Sequence, residues 1–420
     1  MERGRALPIK CSVSDPLPPS AALPLTEGET ASEASGGGQF RIVILAIVFF
    51  LLLGGGQTSA HKPVTSKYDY NRDVFPLLRE HCARCHAKGG PGPMSLMTYA
   101  DAVPWAVSIR DELSAGRMPP WPVDPTSPRV KGGHPINARD LNTIIVWASG
   151  GTPEGDTGAK LPAVTFNPQW KLGPPDLEIP MDAEHTVAPG VIEDTYEGSL
   201  PVNVTSTKWV KAADLMPGAA SIVREALISI ENGPVLALWQ PGTETTAASN
   251  GPAFRLTPGS KIHLLVHYKK HFDQEQNAVS DKSTIGLYFT DTPPSGGELR
   301  SFVIDPPRAA GGPTAPPLSL GTFSGALAEP ARIVALRPLL DRAYESLNVD
   351  AITPSGTHVP LLRLHGPRPQ WLQRYWLQEP VDLARGSEIK ITLTPLSEYS
   401  EEPKVTKQLP LQMALDYIPQ

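Results

Sequence analysis

The chain has 420 residues, 19% of them charged and 40% hydrophobic, with a formal net charge of -6 at neutral pH. At about 100–200 residues per domain this length allows roughly two to four compact units. The mild acidity, with no long basic run carrying interleaved aromatics, gives no reason to expect nucleic acid as a partner.

Residues 1–60 read as an N-terminal extension carrying an export segment. Residues 42–53 are a continuous apolar run preceded by Arg41 and followed by three glycines and then Thr58-Ser59-Ala60. A run this short suits a signal-peptide core, which needs about 7–15 residues, better than a bilayer span, which needs about 20. Cleavage after Ala60 is the preferred reading, and an uncleaved anchor facing the periplasm is the alternative. The chain is therefore expected outside the cytoplasm, in the periplasm or held at its membrane. Of the three cysteines, Cys11 lies upstream of this run, so the exported part keeps only Cys82 and Cys85.

From Tyr68 to Gly151 the spacing predicts three helices divided by Pro/Gly loops. In the first, Asp73 is placed to cap, Pro76 is tolerated in the first turn, and Val74, Leu77, Leu78 and His81 fall on one face. The second spans about 100–115 and ends at Gly116. A proline-crowded loop follows, Met118-Pro119-Pro120-Trp121-Pro122. The third opens at Asn137, with Asp140 three residues on as a weak capping box. Beyond Pro162 short alternating segments take over, clearest at 261–268, 283–289 and 388–394, which is the pattern of half-buried strands. Residues 305–317, DPPRAAGGPTAPP, read as a linker.

Residues 82–86 are Cys-Ala-Arg-Cys-His. Two cysteines at this spacing can form thioethers with the vinyl groups of one haem, and the next residue offers its imidazole to the iron. Cys82 and Cys85 are thus the expected covalent anchors and His86 the proximal ligand. A structural zinc site needs about four protein ligands, and no second cysteine pair exists to supply them. The distal ligand should come from a loop downstream that crosses to the other haem face before the last helix. Met118 sits there; Met94, Met97, His134 and an open position are the alternatives. A thioether ligand raises the potential relative to a second histidine.

The segments CARCHAKGGPGPMSLMTYADAVPWAVSIRDELSAGRMPPW and DLNTIIVWASGGTPEGD resemble the cytochrome c domains of multidomain exported bacterial proteins. That resemblance implies Met118 as distal ligand, with Trp105, Trp121 and Trp147 packed about the porphyrin. Residues 170–420, carrying TPGSKIHLLVHYKKH, DKSTIGLYF and LLRLHGPRPQWLQRYWLQEPVDLARGSEIKITLT, resemble the copper type II, ascorbate-dependent monooxygenases, the peptidylglycine α-hydroxylating and dopamine β-monooxygenase group. Copper in that family is held by histidines and one methionine. Here Arg224-Glu225 stands where adjacent histidines are usual, and ALRPLLDRAYESL lacks a His-x-His pair. His267 matches one ligand position and is a weak copper candidate; Met413 is a weaker match for the methionine. His263 and His267 share a strand face at about 13 Å, too far apart to hold one ion, and His271 lies past the strand end. His358 and His365 are the only histidines of the second half.

The expected fold class is multidomain, α plus all-β: a small helical cytochrome c domain at 66–157 followed by two jelly-roll-like β-sandwich domains at 162–304 and 318–420, joined by the 305–317 linker. The expected function is one-electron transfer by one covalent haem c, with redox proteins as partners, a membrane complex as a further association, copper not expected, and the β region a docking scaffold without catalysis of its own. The rivals are a copper monooxygenase with a fused haem segment and a haem-bearing subunit of a respiratory or photosynthetic complex.

Overall fold

A computed structural model describes residues 65–133, 135–242, 251–290, 294, 296–307, 321–396 and 410–420. The export segment, Cys11, the cleavage position, the alternative ligand His134 and most of the expected linker lie outside the described residues. Among the described residues no helix is long and apolar enough to cross a membrane.

The helical segment begins with a π-helical turn, Tyr70–Val74, that runs into α1, Phe75–His81. Asp69, rather than the expected Asp73, caps it: its carboxylate accepts from Arg72 N at 2.8 Å, while Asp73 Oδ2 accepts from Asp69 N at 3.0 Å. The reciprocal pair satisfies donors that a helix start leaves open. The short α2, Ala83–His86, carries the cysteine motif. The predicted second helix is divided. Thr98 caps α3, Tyr99–Ala102; a 3-10 turn at Val103–Trp105 follows, and α4 spans Ala106–Ser114. Pro104 lacks the amide hydrogen that an uninterrupted helix needs there. Gly116, at φ 64°, ends the run in the left-handed region that glycine enters without strain. Asn137 caps α5, Ala138–Ser149, accepting from Arg139 N and Asp140 N. Tyr70, Leu78, Ile144 and Trp147 form the centre of this core, and Tyr70 hydroxyl donates to Leu96 O at 2.8 Å while Trp147 Nε1 donates to Pro153 O at 3.1 Å. Each buried polar tip has its partner, as burial of such rings demands.

The remainder is built from strands, mostly in four antiparallel four-stranded sheets. The first sheet has the order Leu177–Pro180, Thr284–Thr290, Lys208–Met216, Phe254–Leu256. The second runs Glu193–Pro201, Lys261–Lys269, Val223–Ile230, Val235–Trp239. In the third, Arg300–Ile304 and Ala331–Leu339 flank Gln412–Pro419, with Tyr375–Leu383 at the edge. The fourth orders Thr322–Ala326, Glu388–Pro395, Tyr344–Ile352, His358–His365. Sheets one and two share one apolar core, and sheets three and four another.

This architecture corrects the expected fold class. Among the described residues there is no small helical cytochrome domain followed by two sandwich domains: residues 63–420 form one compact unit, mainly β, with the four sheets in a four-blade, propeller-like arrangement. The physical reason is in the connections. Residues 121–131, which leave the helical segment, hydrogen-bond along the third and fourth sheets: Asp124 N to Arg363 O at 3.0 Å, Lys131 N to Trp376 O at 2.6 Å, and Gln378 N to Arg129 O at 2.8 Å. At its other side Lys88 bridges Thr165, and Phe166 packs into the helical core. Apolar alternation in a sequence reveals single strands but not which sheet each one joins. The strand Arg300–Ile304 illustrates this, because it pairs with Gln412–Pro419 at the far end of the chain.

Candidate functional site

The cysteine motif opens onto a cavity of about 710 Å³ enclosed by the helical segment and both halves of the β region. Backbone bonds set the motif's shape. Cys85 N and His86 N both donate to Cys82 O, at 3.1 and 2.8 Å, so the two thiols and the imidazole come from one tight helical turn. The thiols are free of disulfide. Burial pushes the Cys82 thiol up to about 12 and raises that of Cys85 as well, where Arg224, Lys171 and Arg84 pull the other way.

His86 is oriented by one contact. Its Nδ1 lies 3.1 Å from Met94 O. A carbonyl can only accept, so Nδ1 carries the hydrogen and Nε2 keeps the lone pair, the arrangement in which histidine ligates a metal. Burial lowers the imidazole's pKa and so favours the neutral ring, opposed by the Met94 hydrogen bond. The chain after the motif wraps back closely: Gly92 N donates to Cys85 O at 2.9 Å, and Leu96 N to His86 O at 2.9 Å. A Cβ at Gly92 would sit 2.8 Å from both Cys85 O and His86 Nδ1, so only glycine leaves the ring in place.

Met118 borders the same cavity as Cys82, Cys85 and His86. Met118 and Trp105, each 40% exposed, are large, partly exposed apolar groups in the cavity wall. The segment after Met118 is anchored from the β region, since Gln373 Nε2 donates to Pro120 O at 2.8 Å and the Trp121 ring fills the space beside Gly133. Met94 also lines the cavity, whereas Met97 is buried in the helical core. Of the three tryptophans, Trp105 and Trp121 reach the cavity and Trp147 is buried beneath it in the helical core.

The opposite wall belongs to the second sheet and to residues 370–376. Arg84 Nη1 donates to Gly242 O at 3.0 Å, and Cys85 Sγ lies 3.6 Å from Pro241 O. His271 Nε2 stands 3.1 Å from Pro91 O. Arg374, almost fully buried, reaches across to Leu236 O and Val235 O, and its Nε lies 2.9 Å from Asp416 Oδ2, out of line for a hydrogen bond. The Arg84, Cys85 and His271 contacts are not visible in the motif itself, because each joins residues more than 150 apart in sequence.

No protein-family model matches the chain, and no curated protein matches it. Solved structures give only loose overlaps. The major capsid protein P2 of bacteriophage PM2 overlaps with a TM-score of 0.25 at 13% identity, covering 58% of this chain and 97% of that one. N-glycanase F gives a TM-score of 0.28 at 10% identity over 58% of this chain and 95% of that one. A xanthan lyase from Paenibacillus gives 0.18 at 12%, covering 63% of this chain and 28% of that one. The reading of the site therefore rests on its own residues.

Two groups were tested against those residues. A covalent haem fits: paired thiols on one turn, a neutral imidazole with Nε2 available, and an apolar cavity of ligand size lined in part by the partly exposed Trp105 and Met118. The copper ligands suggested by the monooxygenase resemblance do not converge. His267 Nε2 lies 3.7 Å from Glu193 and its Nδ1 3.4 Å from Glu225, so both ring nitrogens face carboxylates. Met413 is buried in the core of the third and fourth sheets. His263 faces Glu197 at 3.0 Å. His358 and His365 sit at opposite ends of one edge strand. Among the described residues no group of three or more His, Cys, Asp or Glu side chains is arranged to hold a metal ion.

Proposed function

We propose that the chain is a single-haem c-type cytochrome that moves one electron at a time between redox protein partners outside the cytoplasm, the β region serving as scaffold and docking body. The observation that carries this reading is the His86 ring, fixed by Met94 O through Nδ1 beside two free thiols at the mouth of an apolar cavity. A bound haem would supply the Fe(III)/Fe(II) couple that such one-electron transfer needs.

The chain's residues do the rest. Cys82 and Cys85 would anchor a haem through thioethers, each thiol hydrogen passing to the vinyl group that its sulfur joins, so no external oxidant or reductant would be consumed. His86 would hold the iron through its Nε2 lone pair and Met118 through its sulfur. The Met94 and Gln373 contacts hold both ligand segments from behind, which keeps reorganisation between oxidation states small. The apolar walls exclude water and favour the less charged Fe(II) form.

The test is replacement of Cys82 and Cys85 together by alanine in protein expressed with export and haem-attachment machinery. Covalent haem is expected to be lost in the double variant, with Cys11→Ala leaving the exported protein unaffected. Covalent haem retained in the double variant would refute the assignment.

A further inference from the structure

Arg224 occupies a bulge. The second sheet pairs Val223 with Tyr268 and Glu225 with His267, leaving Arg224 as the extra residue between them. A bulge re-aims the side chain it carries, and Arg224 lines the cavity together with Cys85, His86 and Pro91. Its guanidinium is half-buried and held from behind, Nη1 donating to Ser221 O at 2.8 Å while Ser221 Oγ accepts from Gln274 at 3.1 Å. Burial pushes its pKa down to about 10, opposed by attraction to Cys85 and Glu193. It stays charged at neutral pH, at the edge of the cavity where Cys85 would be joined to the cofactor. Nearby Glu225 is turned to His267, at 3.4 Å, and Glu193 to Lys269, at 2.7 Å.

We propose that Arg224 is a positioning charge for the haem couple: a fixed cation, supplied by the β region, that raises the reduction potential of the iron bound at His86. This rests on the haem reading above and adds a role for the β region that docking does not include. The reasoning is electrostatic. Oxidised haem carries one more positive charge than reduced haem, so a guanidinium held in a poorly solvated wall destabilises Fe(III) relative to Fe(II). A surface arginine would be screened by solvent and salt, whereas a half-buried one is screened less. Lys211 and Lys269 also border the cavity; removing Arg224 still changes the local charge by one unit.

The experiment is a redox titration of purified full-length holoprotein as wild type, Arg224→Lys, Arg224→Gln and Arg224→Glu, with covalent haem quantified in each. We expect Arg224→Gln to lower the reduction equilibrium constant about tenfold, which for a one-electron couple is about 59 mV. Arg224→Glu should lower it further, and Arg224→Lys should keep most of the wild-type potential. Equal shifts in Arg224→Lys and Arg224→Gln would mean packing rather than charge and would overturn the proposal. So would an unchanged potential in Arg224→Gln and Arg224→Glu with haem still attached, which would leave the haem reading standing. Wild-type protein without covalent haem would overturn both.

Discussion

At the scale of single residues the account turns on small groups with no room to move. Gly92→Ala would place a Cβ 2.8 Å from His86 Nδ1 and from Cys85 O, forcing the ring off Met94 O. The expected outcome is a full-length protein with reduced haem attachment and an altered axial-ligand spectrum, checked by haem stain and visible absorption. Met118→Ala should abolish the sulfur-to-iron absorption band and lower the potential, and should admit small ligands such as cyanide to the iron. An unchanged spectrum in Met118→Ala, with a change in Met94→Ala, would transfer the distal role to Met94. That residues 82–86 and Met118 stand out is legible in the sequence, because five adjacent residues mark the first and a proline-rich loop the second; that they border one cavity is a property of the fold. Arg224 is legible only as a departure from a copper pattern. Its position in the cavity wall depends on a bulge that no residue between Val223 and Glu225 announces.

Secondary-structure elements hold the segments carrying His86 and Met118 at one cavity. The loop after Met118 is tied to residues 370–376 by the Gln373 to Pro120 bond, a contact spanning 253 residues of sequence. Gln373→Leu removes that donor from a buried site, and loss of such a bond costs about 1–3 kcal/mol. It should lower the pH at which the Met118 band disappears on alkaline titration, and Gln373→Glu, ionised and unable to donate in that range, should lower it as well. Another buried group ties the third sheet together. Asp416, on Gln412–Pro419, pairs with Arg337 at 3.0 Å and Arg374 at 2.9 Å. Burial would raise its pKa, yet the two guanidinium groups hold it below the usual carboxylate range. Its stabilisation is therefore complete above the unfolded-state value of about 3.9 and is lost as the pH falls through the lower folded value. Asp416→Asn leaves two buried arginines facing a neutral group, which costs about 3–5 kcal/mol. Denaturant unfolding should show that loss at neutral pH, and the variant should lack the wild type's corresponding acid-dependent decline. The strands themselves are readable from alternation at 261–268, 283–289 and 388–394, but the arginine pairing is not, since Arg337 and Asp416 come from two strands separated in sequence and Arg374 from the loop that leads into Tyr375–Leu383.

Across the whole molecule, the helical segment and the sheets meet at one cavity. Sequence texture marks a change from helix to strand near residue 162 and suggests separate domains, whereas contacts such as Lys131 N to Trp376 O and Arg84 to Gly242 O make one compact unit. Texture changes where local periodicity changes; domain boundaries fall where few contacts cross, and contacts are not local. A ligand seated at that junction should stabilise helices and sheets together, because it binds the folded chain alone. The most direct measurement is the absorption spectrum of the exported protein, reduced and treated with alkaline pyridine, taken before and after acidified-acetone extraction. The account predicts one haem c per chain that resists extraction and shows the spectrum of two saturated thioether links. No haem, or haem that the solvent removes, would contradict it.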